Sequence, residues 1–62
     1  MNDVTLRLEK DGAPLYRQVY AYFTQEIRAG RIREGEKLPS KRRLAQDLRV
    51  SVNTVDTGYS ML

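Results

Sequence analysis

The sequence predicts a small, mainly α fold of three helices. Three observations carry this. Apolar residues recur every four positions from Leu15 to Ile27. Two shorter runs of helical spacing follow, each behind a serine suited to cap a helix, Ser40 and Ser51. Only Arg49-Val50-Ser51 separates those two runs.

The chain divides into an N-terminal arm or short strand, 1–13, and a helical domain, 14–62. In "VTLRLEKDG" the residues Val4, Leu6 and Leu8 alternate with polar ones and lead to the turn dipeptide Asp11-Gly12. This reads as a possible short N-terminal strand or an extended arm. Helix one is predicted over 14–29. Pro14 suits a first turn, where its missing N–H costs nothing. Leu15, Val19, Phe23 and Ile27 form the apolar stripe, and Tyr16, Tyr20 and Tyr22 flank it as core and rim packing rather than as base-stacking groups. Arg28 favours the negative end of that helix, and Gly30 suits its stop. "RIREGEKLP" is a connector anchored by Ile32 and Leu38, with a turn at Glu34-Gly35-Glu36. Helix two is predicted over 41–48, burying Leu44, Ala45 and Leu48. Helix three is predicted over 52–62, with Val52, Val55, Tyr59 and Leu62 at helical spacing. Gly58 costs that helix about 1 kcal/mol against alanine, so it either permits close packing or marks a weak point.

Composition narrows the function. At 62 residues there is one small domain of modest burial. There is no cysteine and no histidine, which removes thiolate and imidazole metal ligands and the commonest general base. The expectation is a protein that is not an enzyme and holds no metal. No apolar run approaches the length of a membrane span, and "MNDVTLRLEK" lacks the build of a signal peptide, so a cytoplasmic location is expected.

The net charge of +3 is uneven. Residues 28–49 hold eight bases (Arg28, Arg31, Arg33, Lys37, Lys41, Arg42, Arg43, Arg49) against Glu34, Glu36 and Asp47. Residues 50–62 hold only Asp56. The basic segment is either a phosphate-facing surface or simply a solvated one. Two short helices about a three-residue link fit a helix-turn-helix. That motif needs a small residue where its helices meet (Ala45), an apolar plug in the turn (Val50) and an apolar anchor in the second helix (Val55). An ordinary helical hairpin uses similar residues.

The run "G-x-I-x-x-G-x-x-L-P-S-x-R-x-L-A", from Gly30 to Ala45, goes further. With Pro14-Leu15-Tyr16, Gln18, Leu48, Val50-Ser51, Thr54-Val55, Tyr59 and Leu62, it resembles the DNA-binding domain of the GntR family of bacterial transcription regulators. The resemblance covers 14–62. It implies a winged helix-turn-helix, with the β-hairpin wing absent from this chain, which is then an N-terminal piece of a longer regulator. It also implies a homodimer formed through a C-terminal domain not present here, and a double-stranded DNA operator as partner. "PLYRQVY" and "SVNTVDTGYSML" resemble the MocR branch, whose second domain looks like a pyridoxal-phosphate aminotransferase, and also the YtrA branch, whose second domain is short and helical. No cofactor is expected in this chain; pyridoxal phosphate belongs only to a missing C-terminal domain.

The resemblance implies that Arg42 contacts DNA, that Ser40 approaches a phosphate and that Thr54 touches the backbone. Two family arginine positions are Val52 and Asp56 here. Arg49 stands where the family usually has glycine, and a left-handed backbone there strains it by roughly 1 kcal/mol. The division of labour expected is phosphate anchoring by Lys41, Arg42, Arg43 and Arg49, and base reading by Asn53 with Thr57. Ser51, like Ser40, is primarily a cap. The bland alternatives are solvated Lys41 and Arg43, a local capping role for Asn53, and an Asp56 that serves only the positive end of its helix. Val52 and Asp56 also keep open a helical interaction module that has lost DNA binding.

Overall fold

The computed structural model describes residues 6–9, 11–33 and 35–62. It contains three helices, α1 (Leu15–Arg28), α2 (Lys41–Leu48) and α3 (Val52–Ser60). The expected α2 is met at both ends. α1 is one residue shorter at each end than predicted, because Pro14 lies outside the helix at φ −51° and ψ 146° while its carbonyl accepts the Arg17 and Gln18 amides. α3 ends two residues early, with Met61 closing it. "YSML" carries no glycine or proline to mark that end, so periodicity alone ran on to Leu62.

α3 lies against both α1 and α2, whose backbones stay further from each other. Val19 and Phe23 of α1, Ile32 of the connector, Leu44 and Ala45 of α2 and Val55 of α3 form the buried core. Each large apolar side chain among them contributes roughly 1.5–3 kcal/mol by leaving water. Leu6, Leu8, Tyr22, Leu38, Leu48, Val50 and Tyr59 pack around it half-buried. Tyr22 meets Phe23 edge to face at 5.0 Å, and Tyr59 does so at 5.5 Å. The tyrosines described as rim packing are therefore half-buried, as expected. Ile27 departs from the expected stripe and is 46% exposed.

Gly58 is the contact point of α3 on α1. A Cβ there would lie 2.9 Å from the Tyr16 carbonyl oxygen and 2.9 Å from Val19 Cγ1. Close packing, rather than a weak helix, explains the glycine. Gly30, at φ +79°, ends α1: its amide donates to the Ile27 carbonyl and the Arg31 amide to that of Glu26. This pattern satisfies carbonyls the helix leaves over and turns Ile32 into the core.

No strand forms at Leu6–Glu9; Val4 and Thr5 lie outside the described residues. A single extended segment without a sheet neighbour needs other partners for its peptide groups. Gln18 supplies them. The Glu9 amide donates to Gln18 Oε1 (2.8 Å), and Gln18 Nε2 donates to the carbonyls of Glu9 (2.7 Å) and Ala13 (2.6 Å). The arm is thereby held on α1 with Leu6 and Leu8 against the core. In the connector, the Glu36 amide donates to the Arg33 carbonyl, and Gly35 takes φ +84°; Glu34 of the expected turn lies outside the described residues.

Candidate nucleic-acid interface

The site is built on the turn between α2 and α3. Arg49 sits in the left-handed region at φ 58° and ψ 47°, the only non-glycine to do so among the described residues. The Arg49 amide donates to the Gln46 carbonyl and the Val50 amide to that of Ala45. These two bonds stop α2, reverse the chain and press half-buried Val50 onto the core beside buried Ala45. The strain expected of an arginine in this backbone is present.

Both helix starts are capped by serine. Ser40 Oγ accepts the Arg43 amide at 3.1 Å, and Ser51 Oγ accepts the Thr54 amide at 3.1 Å. The Thr54 hydroxyl also pairs with Ser51 Oγ at 2.9 Å. Thr54 is half-buried and belongs as much to this cap as to any surface. Asn53 has no capping role: Ser51 fills it, and the Asn53 amide side chain has no intrachain partner among the described residues.

α3 is two-faced. Val55 and Gly58 are buried and Tyr59 is half-buried. Asn53, Asp56, Thr57 and Ser60 are exposed at helical spacing on the opposite face. Val52, at the start of the apolar spacing, is also outside, 46% exposed. Leu62, 44% exposed, leaves the stripe too, because α3 has already ended.

The bases divide into two sets. Lys41 Nζ donates to Asp56 Oδ1 at 2.5 Å, across from α2 to α3, with both side chains half exposed. Arg43 Nε donates to Asp47 Oδ2 at 3.3 Å along α2, and Arg31 pairs with Glu26. Solvent-exposed pairs of this kind contribute at most about 1 kcal/mol. Arg42 and Arg49 are exposed and make no ion pair among the described residues. At helical spacing Arg42 and Gln46 share an edge of α2, and Arg49 follows in the turn. Asp56 is thus neither a helix-end charge nor an unbalanced one. It lies beyond the first turn and is matched by Lys41.

One contact fixes the start of α2 relative to α3. Tyr59 donates its hydroxyl to the Pro39 carbonyl at 2.8 Å. Burial pushes the Tyr59 phenol up to about 12 from its usual 10. Sequence reading placed Tyr59 in the helical spacing of α3 but missed this bond, since nothing in a helical pattern names a partner twenty residues upstream. The Lys41–Asp56 pair was missed for the same reason; opposite charge on neighbouring helices was its only trace.

No group of residues suited to hold a metal ion occurs among the described residues, and no helix there is long and apolar enough to cross a membrane. Lys37 and Lys41 are both exposed and Lys41 is ion-paired, so these lysines offer no enclosed amine of the kind a pyridoxal Schiff base needs.

With the paired helices, their left-handed turn and the outward face of α3 established, the comparisons with known proteins are decisive. The profile of the family described as "Bacterial regulatory proteins, gntR family" matches residues 15–62. The chain belongs to the GntR family. It is similar to two uncharacterized HTH-type transcriptional regulators of Bacillus subtilis (strain 168): YdeL, 51% identical over 79% of this chain, and YhdI, 48% identical over 97%. It is also similar to the probable rhizopine catabolism regulatory protein MocR of Rhizobium meliloti, 43% identical over 92% of the chain. The chain spans only 11%, 13% and 12% of the lengths of these three relatives. No solved structure matches it. The three-helix GntR helix-turn-helix is therefore the assignment for this chain.

Proposed function

We propose that residues 14–62 are a sequence-specific reader of double-stranded DNA in a bacterial transcription regulator, with the described arm residues 6–9 held against it. The observation that carries this reading is the outward face of α3. Asn53 and Thr57 stand there one turn apart, exposed and without side-chain partners among the described residues, on a helix locked from behind by Val55 and Gly58. A helix so presented fits the major groove, where an asparagine pairs bidentately with adenine.

Affinity comes from phosphate contacts beside that face. Arg42 and Arg49, with no acid paired to them among the described residues, are the principal anchors. Lys41 and Arg43 are weaker ones because each is shared with an aspartate. The first amides of α3, those of Val52 and Asn53, precede the capped Thr54 amide and supply donors of the kind that meets a phosphate. Ser40, Ser51 and Thr54 hold the helix starts and approach the backbone. The charge distribution explains why α3 carries no base: anchoring and reading are assigned to different elements.

A separate domain would supply dimerisation and effector binding, and the much greater length of the relatives supports one. Similarity to MocR favours the MocR-like branch over the YtrA-like. Any pyridoxal phosphate would then be held by that further domain, and no step of DNA reading involves it.

The test is the affinity of the chain for random and selected duplexes at two salt concentrations. Arg42→Ala is expected to weaken binding to every sequence and to flatten the salt dependence. Asn53→Ala is expected to keep the affinity for random duplex and relax the preference at one base pair. A folded chain whose weak binding ignores salt and Arg42 would instead favour the helical interaction module.

A further inference from the structure

We propose that Asp56 is a specificity-determining residue, held by Lys41 to accept a hydrogen bond from the amino group of a cytosine. The inference rests on the reading of α3 as the groove helix. An acid on such a face is unexpected, since an unbalanced carboxylate is repelled by phosphates. The geometry removes that objection. Lys41 Nζ reaches across from α2 to Asp56 Oδ1 at 2.5 Å, which balances the charge and turns one carboxylate oxygen toward α2. The other oxygen, Oδ2, has no intrachain partner among the described residues. Asp56 is 52% exposed at its side chain and lies three residues after Asn53, a rise of about 4.5 Å along the helix. That is close to one base-pair step, so the two residues address neighbouring pairs.

Base chemistry then selects the partner. In the major groove cytosine offers the N4 amino donor, whereas guanine offers the N7 and O6 acceptors and thymine the O4 acceptor. Adenine offers a donor beside an acceptor. A carboxylate is attracted to the first and repelled by guanine and thymine. Asp56 therefore favours cytosine and rejects guanine and thymine, while the N7 acceptor beside adenine's amino group makes adenine the weaker match; Lys41 acts as its positioning residue.

The experiment selects bound duplexes from a randomised pool with the wild-type chain, Asp56→Asn, Asp56→Ala, Lys41→Met and Lys41→Arg, each checked for helicity. Wild type is expected to show cytosine at a position adjacent to the one that Asn53→Ala relaxes. Asp56→Asn should move that preference to adenine, because an amide matches its N6 and N7. Asp56→Ala should reduce the preference by about fivefold or more. Lys41→Met should weaken it, and Lys41→Arg should retain it. An unchanged profile in both Asp56 variants, with salt-dependent binding intact, overturns this inference alone. Absence of salt-dependent binding by the wild-type chain overturns it together with the reading beneath it.

Discussion

Gly58→Ala should destabilise this domain, although alanine is the better helix former. In an open helical position the change would gain about 1 kcal/mol. Here the new Cβ falls 2.9 Å from the Tyr16 carbonyl oxygen, 2.9 Å from Val19 Cγ1 and 3.0 Å from Val19 Cβ. Ordinary carbon–oxygen and carbon–carbon contacts need about 3.3–4.0 Å. The Tyr16 oxygen is backbone and cannot rotate away, and Val19 is fully buried. Relief therefore requires α3 to move off α1 by roughly 0.5 Å, and that loosens the whole contact. Overpacking of this sort costs about 1–3 kcal/mol, which leaves a net loss of about 1 kcal/mol after the gain in helix propensity. The melting temperature followed by circular dichroism should fall by about 4–8 °C for a domain of this size. Thr57→Ala, exposed on the same helix, is the control and should change stability little or raise it. A Gly58→Ala variant that melts at or above the wild type would show that α3 does not approach α1 as described.

Three other outcomes are expected. Arg49→Gly should raise stability by about 0.5–1 kcal/mol in urea unfolding by relieving the left-handed strain at φ 58°, and should lower affinity for random duplex DNA; a loss of stability would contradict the strain. Tyr59→Phe should unfold more easily near neutral pH by about 1 kcal/mol, the worth of a hydrogen bond such as that to Pro39. Because the folded phenol titrates at about 12 and the unfolded one near 10, the neutral phenol's contribution is intact below pH 10 and is lost as pH rises toward 12; the phenylalanine variant should lack this part of the alkaline decline in denaturation scans. Gln18→Ala should speed hydrogen exchange of the Glu9 amide, whose acceptor is Gln18 Oε1, while leaving core amides protected.

The sequence by itself determined the three helices, the serine caps of α2 and α3, and the family. α2 came out at Lys41–Leu48 as read, because Ser40 and the apolar triple Leu44, Ala45 and Leu48 are local signals that need no neighbour. Gly30 and the left-handed Arg49 were legible for the same reason, and Ala45, Val50 and Val55 took the expected places at the turn. The tertiary structure decided everything that depends on the angle at which one helix meets another. Helical periodicity says which face of a helix is apolar, not where that face lands. So the partners of Lys41 and Tyr59, the close approach at Gly58, the exposure of Ile27 and the clamp of Gln18 on Glu9 were out of its reach. Each joins residues 9 to 42 positions apart, or leaves an apolar residue outside because no helix lies over it. The outward face of α3 depends on both levels: the spacing nominates Asn53 and Thr57, and burial of Val55 and Gly58 against α1 and α2 turns them to solvent.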